Sequence, residues 1–237
     1  MNFNVTELIG LWFKLFFKPE ETANRLKERK PCLSDGAVSI GLCSAFLGSI
    51  AFLLTLIFSV LALIGGSVEG AIISMAISFA IFVIGIPIIA MILLIISTTF
   101  LKIASILLKG KGSFSNECGV LGIVGSSMII LYLTMFLIIF IAFFLLGILI
   151  GITGGFVLGT GLTYIILGAI LLVFSPLTYL LIAILFDLLA DIEQVSIYRS
   201  GMIVGLMQGI ATFLIYAIFG VIMMFLGSAS TFMMGGL

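Results

Sequence analysis

Three carboxylates near the end of an apolar stretch, Asp187, Asp191 and Glu193, are the residues whose types and spacing could do chemistry. The DxxxD pattern places two carboxylates one helical turn apart, where they could hold Mg²⁺ against a pyrophosphate as in membrane prenyltransferases. Such a site needs a second aspartate cluster opposite the first, and the sequence has none. We therefore interpret these acids as marking the point where a helix leaves the hydrocarbon, with Asp187, the deepest, most in need of a basic partner. The candidate partners are Lys102, Lys109 and Arg199.

A basic turn with two glycines, residues 109–114 with the sequence Lys-Gly-Lys-Gly-Ser-Phe, is the second candidate. Glycine amides and lysines could cradle a phosphate, but the GxxxxGK motif is not present, since no glycine lies five positions before Gly110. We interpret these residues, called the basic turn below, as a tight connection that contacts lipid headgroups.

Other groups that commonly carry catalysis are missing. The chain contains no histidine, which excludes His-based triads and histidine-ligated zinc and haem sites. HExxH and GxSxG motifs are absent as well. The three cysteines, Cys32, Cys43 and Cys118, lack CxxC spacing and are expected to be ordinary buried thiols. We therefore expect no catalytic residue, no metal site and no cofactor, and we predict that the protein is not an enzyme.

The composition is that of a membrane protein. Of 237 residues, 63% are hydrophobic and 8% are charged, whereas a soluble domain carries about 25% charged residues. A bilayer core about 30 Å thick needs roughly 20 apolar residues per helix, and the uncharged stretches predict five spans, at about 36–64, 71–100, 117–149, 156–186 and 200–227. The predicted fold is all-α and polytopic, with an N-terminal segment, 1–35, before a five-helix transmembrane domain, 36–237.

All ten basic residues fall on one face of the membrane if the chain crosses five times. Because Lys and Arg are retained on the cytoplasmic side during insertion, we predict a multi-pass protein with a cytoplasmic N-terminus and a C-terminus on the opposite side. The basic face favours anionic lipid headgroups as partners, and the net charge of 0 argues against nucleic acid. The predicted cytoplasmic-face charge cluster contains Lys102, Lys109, Lys111, Glu117, Asp187, Asp191, Glu193 and Arg199.

The N-terminal segment is expected to lie at the membrane surface as an interfacial amphipathic region. Its aromatic residues form a bulky patch that is typical of headgroup depth. A second short helix should begin at Pro19, with Glu20 and Glu21 at its positive end. The candidate interfacial anchors are Trp12, Phe13, Phe16 and Phe17.

Small residues spaced four apart predict close helix contacts inside the membrane, where lipid supplies no hydrophobic drive for association. A ladder of glycines begins the fifth span, and a similar line of small residues runs along the first. Such a contact could form within one chain or between two copies. The candidate packing residues are Gly201, Gly205, Gly209, Gly41 and Ala45, with Gln208 as the amide that could bond across the contact.

A family resemblance rests on three features together: the basic turn, the Lys-Pro-Glu-Glu segment at 18–21 that leads through 25–28 into the first span, and the five-span layout. With them the chain resembles the Yip family, the Ypt/Rab-interacting membrane proteins, and in particular its prokaryotic-type members. The resemblance implies a cytoplasmic N-terminus, five helices and a role in organising membranes. The Asp-Leu-Tyr-Gly-Pro element of the eukaryotic cytoplasmic segment is absent, so the resemblance does not extend to Rab binding.

Two hypotheses about function follow. The first is a non-enzymatic integral membrane scaffold that organises membrane or recruits partners, which could be cytoplasmic proteins, another membrane protein or a second copy of the chain. The alternative is a small transporter or channel subunit, which is favoured by Pro87 and Pro176 inside two long spans, because transport paths often use broken helices.

Overall fold

All regular secondary structure in the computed structural model is helical within the residues that it describes, which are 3–63, 68–153 and 156–210. Two short helices, α1 (Val5–Phe17) and α2 (Pro19–Arg29), come first. The longer helices are α3 (Leu33–Leu63), α4 (Val68–Phe79), α5 (Ile86–Leu107), α6 (Phe114–Thr153) and α7 (Phe156–Glu193), and a π-helical segment, Ala80–Gly85, joins α4 to α5. A further helix, α8, begins at residue 197 and continues to 210, where the description ends.

Four helical stretches in the described ranges are long and apolar enough to cross a membrane. They are Leu33–Leu56, Ile72–Leu107, Phe114–Ile148 and Ile165–Glu193. These correspond to the first four predicted spans, and they give the chain the character of a multi-pass membrane protein. Helix α8 covers only the start of the predicted span at 200–227, whose remainder lies outside the described residues, so the fifth crossing stays a prediction.

Two of the spanning helices continue about two turns past their predicted ends. Helix α5 reaches Leu107 rather than residue 100, and α7 reaches Glu193 rather than residue 186. The extension is possible because charged residues in these last turns, Lys102 and Asp187, form ion pairs with other parts of the protein.

A π-helical segment interrupts the second span just before Pro87. The amide of Ile86 donates to the carbonyl of Ile81, five residues back, instead of four. A proline ring clashes with the carbonyl four residues before it and has no N–H to donate. The wider turn accommodates both defects within one continuous helix, at one of the two places where the sequence predicts a kink. Pro176 likewise lies inside α7.

Helices α3 and α6 approach each other through glycines. A Cβ atom on Gly36 would overlap the carbonyl oxygen of Cys118, and one on Gly122 would overlap the backbone of Gly36. A Cβ on Gly119 would lie 2.6 Å from the carbonyl carbon of Pro31. Backbone therefore contacts backbone where these helices meet, as expected for helix association in lipid.

The small residues selected from the sequence make looser contacts. Cβ atoms on Gly41 and Gly201 would meet their nearest neighbours at 3.7 and 3.5 Å, which is ordinary van der Waals contact, and Gly205 and Gly209 have no neighbour within 4 Å among the described residues. Ala45 is half-buried in α3. The backbone approaches between α3 and α6 therefore occur at glycines other than the predicted ones.

The N-terminal helices pack on the end of the bundle. Leu8, Leu11 and Leu15, on one face of α1, are buried in the same core cluster as residues of α6 and α7. Helix α2 contributes Leu26 to this cluster. The N-terminal segment is therefore partly built into the helical core.

Trp12 faces this core as well. Its side chain is 5% exposed, and its Nε1 donates to Ser39 Oγ at 2.7 Å, which in turn lies 2.9 Å from Ser126 Oγ. Of the other predicted anchors, Phe16 packs partly against the core, while Phe13 and Phe17 are exposed. The indole therefore contacts protein, and a contact with headgroups stays a prediction for Phe13 and Phe17.

We predict that Gly122→Ala destabilises the protein by about 1–3 kcal/mol, the usual effect of overpacking a tight contact. The matched control is Gly147→Ala in the same helix, where a Cβ would meet nothing within 4 Å. Unfolding in detergent measures the stability of each of the two variants. Equal stabilities for the two variants would contradict the close approach of α3 and α6.

A second prediction uses the single tryptophan of the chain as a probe. Because Trp12 is enclosed by protein, its fluorescence should resist quenching both by aqueous acrylamide and by lipids brominated near the headgroup. The control is Trp12→Phe/Phe17→Trp, which moves the indole to a position that is 82% exposed and should restore quenching by one of the two reagents. Strong quenching of the unmodified protein would show that α1 is not docked.

Candidate functional site

A buried charged cluster forms where the end of α5, the start of α6 and the end of α7 meet. Its members are Lys102, Ser105, Glu117 and Glu193, together with the glycines of the basic turn. Lys102, Glu117 and Glu193 belong to the predicted charge cluster, so three of its eight residues come into one site.

Glu193 is enclosed by the basic turn. Its Oε2 accepts hydrogen bonds from Ser105 Oγ at 2.5 Å and from the amide of Gly112 at 2.8 Å, and its backbone carbonyl accepts from the amide of Lys111 at 3.0 Å. A Cβ on Gly112 would lie 2.6 Å from Glu193 Oε1, and one on Gly110 would overlap both Oε2 and Ser105 Oγ. The glycines are therefore needed because the turn wraps a carboxylate of the protein itself.

Glu117 forms an ion pair with Lys102. The Nζ of Lys102 donates to Glu117 Oε1 at 3.1 Å and also to the carbonyl oxygen of Gly112. The Glu117 side chain is 0% exposed, whereas that of Lys102 is 26% exposed. The lysine thus links the first turn of α6 to the basic turn.

The cluster contains more acidic groups than basic groups. Glu117 and Glu193 are fully buried, and the one lysine of the cluster, Lys102, pairs with Glu117. One oxygen of each carboxyl, Glu117 Oε2 and Glu193 Oε1, has no hydrogen-bond partner among the residues that the structure describes. Gly112 lies between the two side chains: its carbonyl accepts from Lys102, the partner of Glu117, and its amide donates to Glu193 Oε2. We call Glu117 and Glu193 the acid pair.

The side chains of the remaining members of the predicted charge cluster do not bond to the acid pair. Asp187 pairs with Lys27 of α2 at 2.7 Å rather than with the basic residues chosen from the sequence. This ion pair ties α2 to α7. The other side chains are exposed on the same end of the bundle: Lys109, Lys111, Asp191 and Arg199.

The N-terminal helices are fixed to each other by Glu7. Its carboxylate accepts from the amide of Asn4 at 3.1 Å, which completes a capping box at the start of α1, and it pairs with Arg25 at 2.5 Å and Arg29 at 3.2 Å. The Asn4 amide, with the two arginines, holds the pKa of Glu7 below its ordinary value. The carboxylate therefore stays ionised and continues to join α1 to α2 under mildly acidic conditions.

Two residues at the charged end of the bundle, Asp35 and Ser105, are not among those predicted from the sequence. Asp35, fully buried, accepts from the amides of Phe3 and Cys32 and so ties the beginning of the chain to α3. An acid in the first turn of a helix is a recognisable signal. Ser105 carries no signal of its own, because an isolated serine in an apolar helix is usually back-bonded or packed.

A cavity of about 520 Å³ lies between α5, α6, α7 and α8 among the described residues. Its wall is mostly apolar. Gln208, the amide expected to bond across a helix contact, lines it together with Thr178 and Tyr132.

The described residues include no group of three or more His, Cys, Asp or Glu side chains arranged to hold a metal ion. The cysteines in the described part of the chain are free thiols: Cys32 is half-buried, and Cys43 and Cys118 are buried. Comparison with protein-family models, with curated proteins and with solved structures found no match.

We predict that Lys102→Met destabilises the protein by about 3 kcal/mol, because breaking a buried pair leaves an uncompensated carboxylate. The control, Lys111→Met, removes an exposed lysine of the basic turn and should change stability by less than about 0.5 kcal/mol. Denaturant unfolding in detergent compares the two variants. A Lys102→Met protein as stable as the control would mean that the lysine does not neutralise the cluster.

Proposed function

We propose that the protein is a non-enzymatic membrane scaffold of the kind that the Yip resemblance implies, with α1 as a rigid wedge on the cytoplasmic leaflet. The observation that carries this proposal is the two-sided character of α1. One side is buried against the bundle, and the other presents four exposed apolar side chains at a spacing of four residues. These residues, called the apolar stripe, are Val5 (45% exposed), Ile9 (40%), Phe13 (48%) and Phe17 (82%).

The fixed position of α1 supports a role as a wedge. An apolar helix face at the interface inserts into the boundary between headgroups and acyl chains. A free amphipathic helix can leave that boundary, whereas α1 is held on the bundle by Leu8, Leu11 and Trp12. Its Glu7 also pairs with α2, which is itself tied to α7. The apolar stripe would therefore occupy one leaflet wherever the bundle is inserted.

Charge at the same end supports attraction to anionic lipid. Lys14, Lys109, Lys111 and Arg199 have exposed side chains. Basic residues near an anionic leaflet contribute about 1 kcal/mol each before screening. The basic residues of α2 contribute less than the sequence suggests, because Arg25 pairs with Glu7 and Lys27 with Asp187.

Transport is the second candidate. The π-helical segment before Pro87 and the cavity that Gln208 lines favour it, since transporters often bind substrates beside interrupted helices. A solute or ion flux in proteoliposomes that Gln208→Ala abolishes would place transport above the scaffold.

The wedge predicts a preference for curved membranes. Fluorescently labelled protein in giant vesicles with anionic lipid should be enriched in nanotubes pulled from the vesicle, relative to the flat membrane. Phe13→Ser/Phe17→Ser should reduce the enrichment, because each inserted phenylalanine contributes about 1.5–3 kcal/mol when fully buried.

The matched control for this experiment is Phe13→Leu/Phe17→Leu, which keeps an apolar stripe and should keep the enrichment. Equal partitioning of the unmodified protein between tube and flat membrane, or equal enrichment of the serine variant, would contradict the wedge.

A further inference from the structure

The acid pair is a group of buried charges that the scaffold does not use. Glu117 and Glu193 are both 0% exposed, and each has one carboxyl oxygen without a hydrogen-bond partner within the described ranges of the chain. Their other oxygens are satisfied, by Lys102 for Glu117 and by Ser105 and Gly112 for Glu193. Each carboxyl group therefore has one buried oxygen that is not used in a hydrogen bond to the described residues.

A buried carboxylate oxygen without a partner is strongly unfavourable, and two adjacent carboxylates add mutual repulsion. One lysine compensates one negative charge of the cluster, which leaves the other uncompensated. In such a site, a ligand of charge +1 that bridges the two carboxyls would satisfy both atoms and balance the charge.

The surrounding charges do not supply this compensation. On α7, Asp187 is paired with Lys27, and Asp191 is exposed. On α6, Cys118 lies next to Glu117 and can contribute only negative charge. The lysines of the basic turn, Lys109 and Lys111, are exposed, as is Arg199 after α7. Lys102 on α5 is the basic side chain that bonds to the acid pair in the described part of the chain.

We propose that the acid pair binds one proton, shared between Glu117 Oε2 and Glu193 Oε1 as a carboxylic acid–carboxylate hydrogen bond. Lys102 Nζ bonds to Glu117 Oε1 and to the carbonyl of Gly112, and the amide of Gly112 donates to Glu193 Oε2, so both carboxyl groups lie beside Gly112. One protonated oxygen donates and the other accepts, so both unsatisfied atoms gain a partner and the cluster becomes neutral with Lys102.

The geometry favours a proton over a metal cation. Ca²⁺ takes six to eight oxygen ligands, and Mg²⁺ requires a near-octahedral set. The acid pair offers two unsatisfied oxygens, and the nearby carbonyl of Gly112 already accepts from Lys102. The glycines of the basic turn also lie directly against the Glu193 carboxylate.

A bound proton makes stability depend on pH in a definite direction. At about pH 6–8 the glutamates of the unfolded chain are ionised, so unfolding releases the shared proton. The folded state then binds more protons than the unfolded state, and stability falls as the pH rises. For one proton, the folding equilibrium constant decreases about tenfold per pH unit, until the folded acid pair itself loses the proton.

The test compares denaturant unfolding of the full-length protein in detergent at about pH 6–8 for three forms. The unmodified protein should lose stability with rising pH, and Asp191→Asn, which removes an exposed acid of the same helix, should follow it. Glu117→Gln places an amide donor beside Glu193 and supplies no titrating proton. The loss of stability with rising pH seen in the unmodified protein should therefore disappear in this variant. Identical pH dependence in Glu117→Gln and the unmodified protein would overturn the proposal.

Infrared spectroscopy gives a readout that does not depend on the stability of a variant. The unmodified protein at neutral pH should show the C=O stretch of a protonated carboxyl group in the folded state, and unfolding should remove it. Absence of that band in the folded protein would overturn the proposal. A second result would also overturn the proposal: stability that rises with pH, together with greater stability in NaCl or MgCl₂ than in choline chloride at equal ionic strength. That result would identify a metal cation as the ligand.

Discussion

A carboxylate buried at the end of a membrane-spanning helix must be paired with a cation or carry a proton, and this requirement organises the charged end of the protein. Glu117 and Glu193 are brought to Lys102, Ser105 and the basic turn, and these contacts connect the ends of three helices. Asp187, which is less buried, is also paired, and its partner Lys27 holds α2 against α7. The helix ends are thus held together by charged side chains, whose burial would be unfavourable without these partners.

Glycines make these polar contacts reachable. The basic turn can enclose the Glu193 carboxylate because Gly110 and Gly112 lack side chains, and α3 can lie against α6 because Gly36 and Gly122 do. In lipid, helices gain little from hiding apolar surface, so close backbone approach and internal hydrogen bonds supply much of the association. The scaffold proposal depends on this rigidity, since a wedge shapes a membrane only if the bundle holds it in place.

Analysis of the sequence predicts the helical membrane class, the first four spans and the membership of Lys102, Glu117 and Glu193 in one charged region, because continuous apolar runs and charge positions are local properties of the chain. It does not find the partner of Asp187, since Lys27 lies far away in the sequence and looks like an ordinary C-terminal charge of a short helix. Trp12 illustrates the same difficulty. An aromatic residue in an amphipathic helix fits either a lipid interface or a protein core, and only the position of Ser39 distinguishes the two. The sequence also does not predict the tight glycine contacts. A spacing of four residues shows which glycines share a helix face but not which face meets another helix.

The charged end of the protein depends on the closure of the basic turn over the end of α7. The amide of Lys111 donates to the carbonyl of Glu193, so positions 111 and 194 are near neighbours with exposed side chains. The direct measurement is cross-linking of Lys111→Cys/Gln194→Cys by a short bis-maleimide in membranes, with Cys32 replaced by serine because it is half-buried while Cys43 and Cys118 are buried. After cleavage at a protease site inserted between α6 and α7, the two cross-linked fragments should remain joined. Efficient labelling of both cysteines with fragments that separate would contradict closure of the basic turn.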